Sequence, residues 1–93
     1  MPVEHIVFNP YHLFQEITDN FMPLAAAKHL ELKARFSEDL DKDYSGDALR
    51  IRQILTNILS NAVKYTTTGH ISFSAETVNP EKIRLKIQDT GQG

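Results

Sequence analysis

The sequence predicts a two-layer α/β sandwich, in which helices cover one face of a mixed sheet and the other face stays wet. Three patterns carry that prediction: two stretches with apolar residues at helical spacing, an alternating run between them, and two further alternating runs joined by a turn. The 93 residues suffice for one small domain. A domain of this size buries roughly two-thirds of its unfolded surface and needs nearly all of its elements in one core.

Residues 4 to 8, EHIVF, read as a short strand. Asn9 and Pro10 then make a helix start, because an asparagine side chain caps free amides and proline has no amide to leave unpaired. Leu13, Phe14, Ile17, Phe21, Leu24 and Ala25 continue as an apolar stripe, and Pro23 should kink or loosen that helix because it offers no N–H. In LELKARF, Leu30, Leu32, Ala34 and Phe36 fall on one face and Glu31, Lys33 and Arg35 on the other, the pattern of a half-buried strand. SEDLDKDYSGD is acidic and turn-rich, and Asp47 is placed to cap a helix over about 48–65. Ile51, Ile54, Leu55, Ile58, Leu59 and Ala62 form the stripe by which that helix should meet the sheet. Beyond TTTG, HISFSAET and KIRLKIQD read as a hairpin around VNPEK. Ile71, Phe73, Ala75, Ile83, Leu85 and Ile87 should face inward, and Ser72, Ser74, Arg84 and Lys86 outward.

Composition excludes several classes of function. Ten Lys and Arg against twelve Asp and Glu leave a net charge of −2, without the basic field of a nucleic-acid binder. There is no cysteine, which removes disulfides and thiolate metal sites and agrees with a reducing compartment. No apolar run approaches the roughly twenty residues that span a bilayer, and MPVEHIVFNP lacks the basic start and apolar middle of a signal peptide. The chain is therefore expected to be soluble and intracellular. His5, His12, His29 and His70 are scattered over different elements, without the i, i+4 spacing of a metal site.

The second helical stretch contains LTNILSNAVKY, with two asparagines where alanine would be more favourable by roughly half a kcal/mol each. At about 100° per residue, Gln53, Asn57, Asn61 and Lys64 form a second stripe beside the apolar one. Amides there offer neutral oxygens to a hard cation such as Mg²⁺ and N–H groups to phosphate, Lys64 adds a positive charge, and Tyr65 adds an aromatic plane. The same residues would also serve as an ordinary solvated helix flank. Alternation along KIRLKIQD puts Asp89 on the inward face, away from open solvent, where an unpaired carboxylate is costly unless a protein group or a ligand donates to it. An exocyclic purine amine would serve. Gly91 and Gly93 in DTGQG let the backbone turn sharply and approach a ligand; taken alone, this motif is more simply read as a turn with a solvated aspartate.

Together, NILSNAVKY on a helix and DTGQG at the end of a hairpin some 25 residues later resemble the asparagine box and first glycine box of sensor histidine kinases. The fold resembles the Bergerat nucleotide-binding type that these kinases share with type II topoisomerase ATPases, Hsp90 chaperones and MutL-type repair proteins. RIRQILTNILSNAVKYTTTGHI is similar to the kinases almost residue by residue. The resemblance implies ATP and Mg²⁺ as ligands, with Asn61 as the main metal ligand and Asn57 assisting at the metal or the phosphates. It implies Lys64 at a phosphate, Tyr65 near ribose or adenine, Asp89 accepting the adenine amino proton, and Gly91 and Gly93 shaping the loop beneath the base.

The ATP-hydrolysing branches carry a glutamate four residues before the metal-binding asparagine, where it activates water. Here that position is Asn57, and an amide takes no proton at neutral pH. Phosphoryl transfer to a protein histidine is favoured over hydrolysis, and no residue of the 93 is assigned as catalytic. The resemblance implies as partners a phosphoacceptor histidine on a helix of the same kinase dimer and the receiver domain of a response regulator. It implies a cytoplasmic portion of a membrane-anchored sensor. A complete domain of this kind continues into a lid, further glycine motifs and closing strands. Residues 1–93 are thus expected to be the N-terminal portion of a truncated Bergerat-type domain, ending within the first glycine box, inactive alone and prone to self-association through an unpaired sheet edge. An ATPase of topoisomerase, chaperone or MutL type and a non-catalytic interaction module are the alternatives.

Overall fold

A computed structural model describes residues 6–79 and 82–89. The first strand, β1 (Ile6–Phe8), leads into helix α1 (Pro10–Ala27). Asn9 caps it as expected, its side-chain oxygen accepting from the His12 amide at 3.0 Å, with Pro10 in the first turn. The helix runs through Pro23 without interruption. Both Pro23 and Asp19, whose carbonyl loses its helical donor there, are exposed, so water can serve that carbonyl. Leu13, Phe14, Ile17, Phe21 and Ala25 are buried, but Leu24 is exposed, because no described residue covers that flank of the last turns.

Strand β2 (Glu31–Phe36), a single 3₁₀ turn (Glu38–Leu40) and strand β3 (Tyr44–Gly46) follow. The acidic segment therefore holds more order than turns alone. Leu40 plugs into the core, and β3 pairs antiparallel with β1 as a separate two-stranded ribbon. Helix α2 (Ala48–Tyr65) starts at Asp47, whose carboxylate accepts from the Arg50 amide at 3.0 Å. The hairpin strands are β4 (His70–Asn79) and β5 (Lys82–Asp89), with a register shift between Thr77 and Asn79. Residues 4, 5, 80 and 81 of the expected strand and turn lie outside the described residues.

The main sheet is mixed, in the order β2-β4-β5, with β2 parallel and β5 antiparallel to β4. Both helices pack on one face, closing a core of Phe14, Ile17, Leu55, Leu59, Ile71 and Phe73 with their neighbours. At one end Phe36 and Phe73 meet edge to face at 5.1 Å, and Phe14 stands 5.9 Å from Phe73. The expected inward face holds for Leu30, Leu32, Ile71, Phe73 and Ala75. It holds less well toward the rim, where Ala34 and Leu85 are exposed and Ile83 and Ile87 are half-buried. β5 is the edge of the described sheet, and the helices reach it only in part.

Candidate functional site

Helix α2 shows two different flanks. Leu55, Leu59 and Val63 sink into the core, whereas Ile54 is 50% and Ile58 43% exposed. The expected stripe was too wide: its apolar residues span about half the helix circumference, and the sheet takes only the half that includes Val63, absent from the expected set. Moving round the cylinder from the core, one meets Leu55, then Ile58 and Ile54, then Asn61 and Asn57, then Lys64 and Gln53. The isoleucines are thus an exposed apolar wall lying between the core and the amides.

Asn57 and Asn61 are exposed, and their side chains make no hydrogen bond to any described residue. Their amides, one turn apart, are free to meet a ligand. Lys64 is exposed, and its ammonium lies 5.2 Å from the centre of the exposed Tyr65 ring. The backbone under these two residues is tied down from α1. Lys28, the residue that ends α1, donates from Nζ to the carbonyls of Val63 and Lys64, the latter at 3.0 Å. A cation there satisfies two of the helix's last acceptors and complements the negative end of its dipole. The Thr66 amide closes the helix on the Ala62 carbonyl at 3.0 Å, while the buried Thr66 hydroxyl has no partner among the described residues. Sequence reasoning did not find Lys28, since nothing local links it to a helix end 35 residues on.

Asp89 lies opposite Ile71 in the β4–β5 register. Ile71 is fully buried beneath the helices, so Asp89 stands on the helix side of the sheet, as alternation requires. It is nonetheless exposed, correcting the expectation of a carboxylate held away from solvent: at the end of β5 no described element lies over it. It has no donor among the described residues. Gly91 and Gly93 lie outside those residues.

Among the described residues no cluster of three or more histidine, aspartate or glutamate side chains could hold a metal ion. The neutral amide oxygens of Asn57 and Asn61 fit a hard divalent cation whose remaining ligands are phosphate oxygens and water. Among the described histidines, His12 lies 3.7 Å from Asp41 at an exposed site, and His29 takes a positive φ of 60° just after α1. Among the described residues no helix is long and apolar enough to cross a membrane.

Residues 46–93, which include α2, the hairpin and the glycine motif, match the family profile described as histidine kinase-, DNA gyrase B- and HSP90-like ATPase. The chain is 42% identical over 98% of its length to the sensor protein GacS of Pseudomonas syringae pv. syringae, covering 10% of that protein. It is 32% identical over its whole length to the sensor histidine kinase RcsC of Escherichia coli K12, again covering 10% of the relative. The chain thus spans about a tenth of the length of these curated relatives. Its fold matches the crystal structure of full-length ShkA in complex with AMPPNP, with a TM-score of 0.87 at 27% identity over 98% of this chain and 19% of that one.

Proposed function

Because the chain belongs to the histidine kinase-, DNA gyrase B- and HSP90-like ATPase family, we propose that it is the ATP-binding part of a two-component sensor histidine kinase. The parent protein passes the γ-phosphoryl group of ATP to a histidine on a separate helix of the kinase dimer, and from there to an aspartate in a response-regulator receiver domain. The observation that carries this reading is the exposed, unpartnered pair Asn57 and Asn61, with Lys64 one turn on and an apolar wall beside them.

In this reading Asn61 is the main ligand for Mg²⁺, and Asn57 assists at the metal or at a phosphate oxygen. Bound Mg²⁺ supplies charge neutralisation on the phosphates. Lys64 adds a cation to the same phosphates, and Tyr65 packs against ribose or adenine. Ile54 and Ile58 offer apolar surface to the nucleotide, while Asp89 accepts from the adenine amino group. Gly91 and Gly93 shape the loop under the base. The pairing of Lys28 with the end of α2 keeps Lys64 and Tyr65 in register with the amides. Position 57 holds an amide that cannot accept a proton, so water in this site lacks a general base and the histidine acceptor is favoured over hydrolysis. Positioning and electrostatic neutralisation are then the domain's share of catalysis.

The 93 residues form the N-terminal portion of the catalytic domain, with the lid and later glycine motifs supplied by chain beyond them, on the cytoplasmic side of a membrane-anchored sensor. The isolated chain binds MgATP weakly and transfers nothing; micromolar affinity by calorimetry would refute that. In the full-length protein, Asn61→Ala should abolish autophosphorylation while circular dichroism stays unchanged. Undiminished labelling from γ-labelled ATP would remove Asn61 from the metal site.

A further inference from the structure

The face of the main sheet opposite the helices carries a second polar surface that nucleotide binding does not use. The strand register sets its layout: Lys33 lies opposite Ser72 and Ser72 opposite Gln88, while Arg35 lies opposite Ser74 and Ser74 opposite Lys86. Two serines therefore form a floor on the central strand. Cations stand on either side, Lys33 and Arg35 on β2, and Lys82, Arg84 and Lys86 on β5. Lys33, Arg35, Ser72, Ser74, Lys86 and Gln88 line a concavity of about 390 Å³.

The charge of this face runs against the rest of the molecule. Its five cations meet two carboxylates among the described residues, Glu31 at 3.4 Å from Lys33 and Glu76 at 3.4 Å from Arg84. Arg35 and Lys86 have no carboxylate partner among the described residues, and they face each other across Ser74. The chain as a whole carries −2, so this face, with five cations against two carboxylates, stands out from a molecule that is acidic on balance.

We propose that this face docks an acidic α-helix of a partner protein, laid along β4 with carboxylates on both of its flanks. Strands about 4.8 Å apart put the cationic rows on β2 and β5 roughly 10 Å from one another, close to the width of a helix with its side chains. Alternate residues on a strand repeat every 6–7 Å or so, near the roughly 5–6 Å separation of carboxylates three or four apart on a helix. The serine hydroxyls supply donors between the rows. No phenylalanine, tyrosine or tryptophan points out of this face among the described residues, and His70 stands apart at the strand end opposite Glu31, so the face offers no row of rings for stacking nucleic-acid bases. Among the described residues the lysine and arginine rows carry no large apolar side chain, and the exposed Val78 lies beyond the serines at the register shift of β4, so nothing there resembles an apolar wedge for a lipid surface. The inference does not depend on the nucleotide reading.

The probe is a fluorescein-labelled helical peptide with glutamates at i, i+3 and i+4 spacing, titrated by anisotropy into the full-length protein. Saturable binding is expected, weakened about tenfold or more by Arg35→Glu with Lys86→Glu and by raised salt, and unchanged by Lys42→Glu in the acidic segment. Arg35→Gln with Lys86→Gln replaces the charge reversal if circular dichroism shows that the latter misfolds. The proposal is overturned by absence of saturable binding, by equal affinity of the double variant, or by poly(U) RNA binding this face more tightly than the peptide.

Discussion

Thr66 and Lys28 frame the end of α2 in opposite ways. The Thr66 hydroxyl is buried without a partner among the described residues, and such an orphan costs on the order of 1–3 kcal/mol relative to a satisfied group. Thr66→Val keeps the shape and removes the orphan, so thermal unfolding should show it as neutral or more stable, by up to about 1 kcal/mol. Lys28→Met removes a charged donor from two helix-end carbonyls and should lower stability by about 1 kcal/mol, with Lys28→Arg recovering most of the loss. A melting temperature for Lys28→Met equal to that of the parent would show that the contact contributes nothing. The amide pair was legible in the sequence because helical spacing alone aligns Asn57, Asn61 and Lys64. The Lys28 contact was not, since it depends on where two helix ends meet in space.

At the level of the element, local chemistry set the helix boundaries well. Asn9 with Pro10, and Asp47 ahead of Ala48, are caps whose partners lie three residues away, and both helices begin where those residues predict. The facing of α2 was harder to read. Six apolar residues spread over half a turn fit two rotations, and only the tertiary contact with the sheet selects Leu55, Leu59 and Val63. The choice has a measurable signature. Leu59→Ala should cost about 2–5 kcal/mol in denaturant unfolding, whereas the neighbouring Ile58→Ala should cost less than about 1 kcal/mol. In the full-length protein Ile58→Ala should instead weaken nucleotide binding in calorimetry, and an affinity equal to the parent's would exclude it from the site. β3 escaped detection because YSG has no alternation to read, and its strand character comes from pairing with β1.

For the molecule as a whole, β2 and β5 are both edges of the described sheet, and Ile54, Ile58 and Leu85 are exposed on the helix side. Unpaired edges beside apolar surface favour association. Sedimentation of the isolated 93-residue chain should accordingly show species larger than a monomer as concentration rises, and one monomeric boundary throughout would contradict this. The mixed-sheet class was legible because β2, β4 and β5 alternate, but the neighbour of each strand was not, since pairing joins residues far apart. The parallel pairing of β2 with β4 sets Glu31 against His70, so the strand made early has its partner delivered about forty residues later. On a ribosome moving at about 5–20 residues per second, α1 and β2 wait roughly 2–8 s before the strand that completes their core emerges. During that interval Phe14, Ile17, Leu32 and Phe36 have no sheet to pack against, so nascent-chain quality control would act on the first half of this domain before the second half exists.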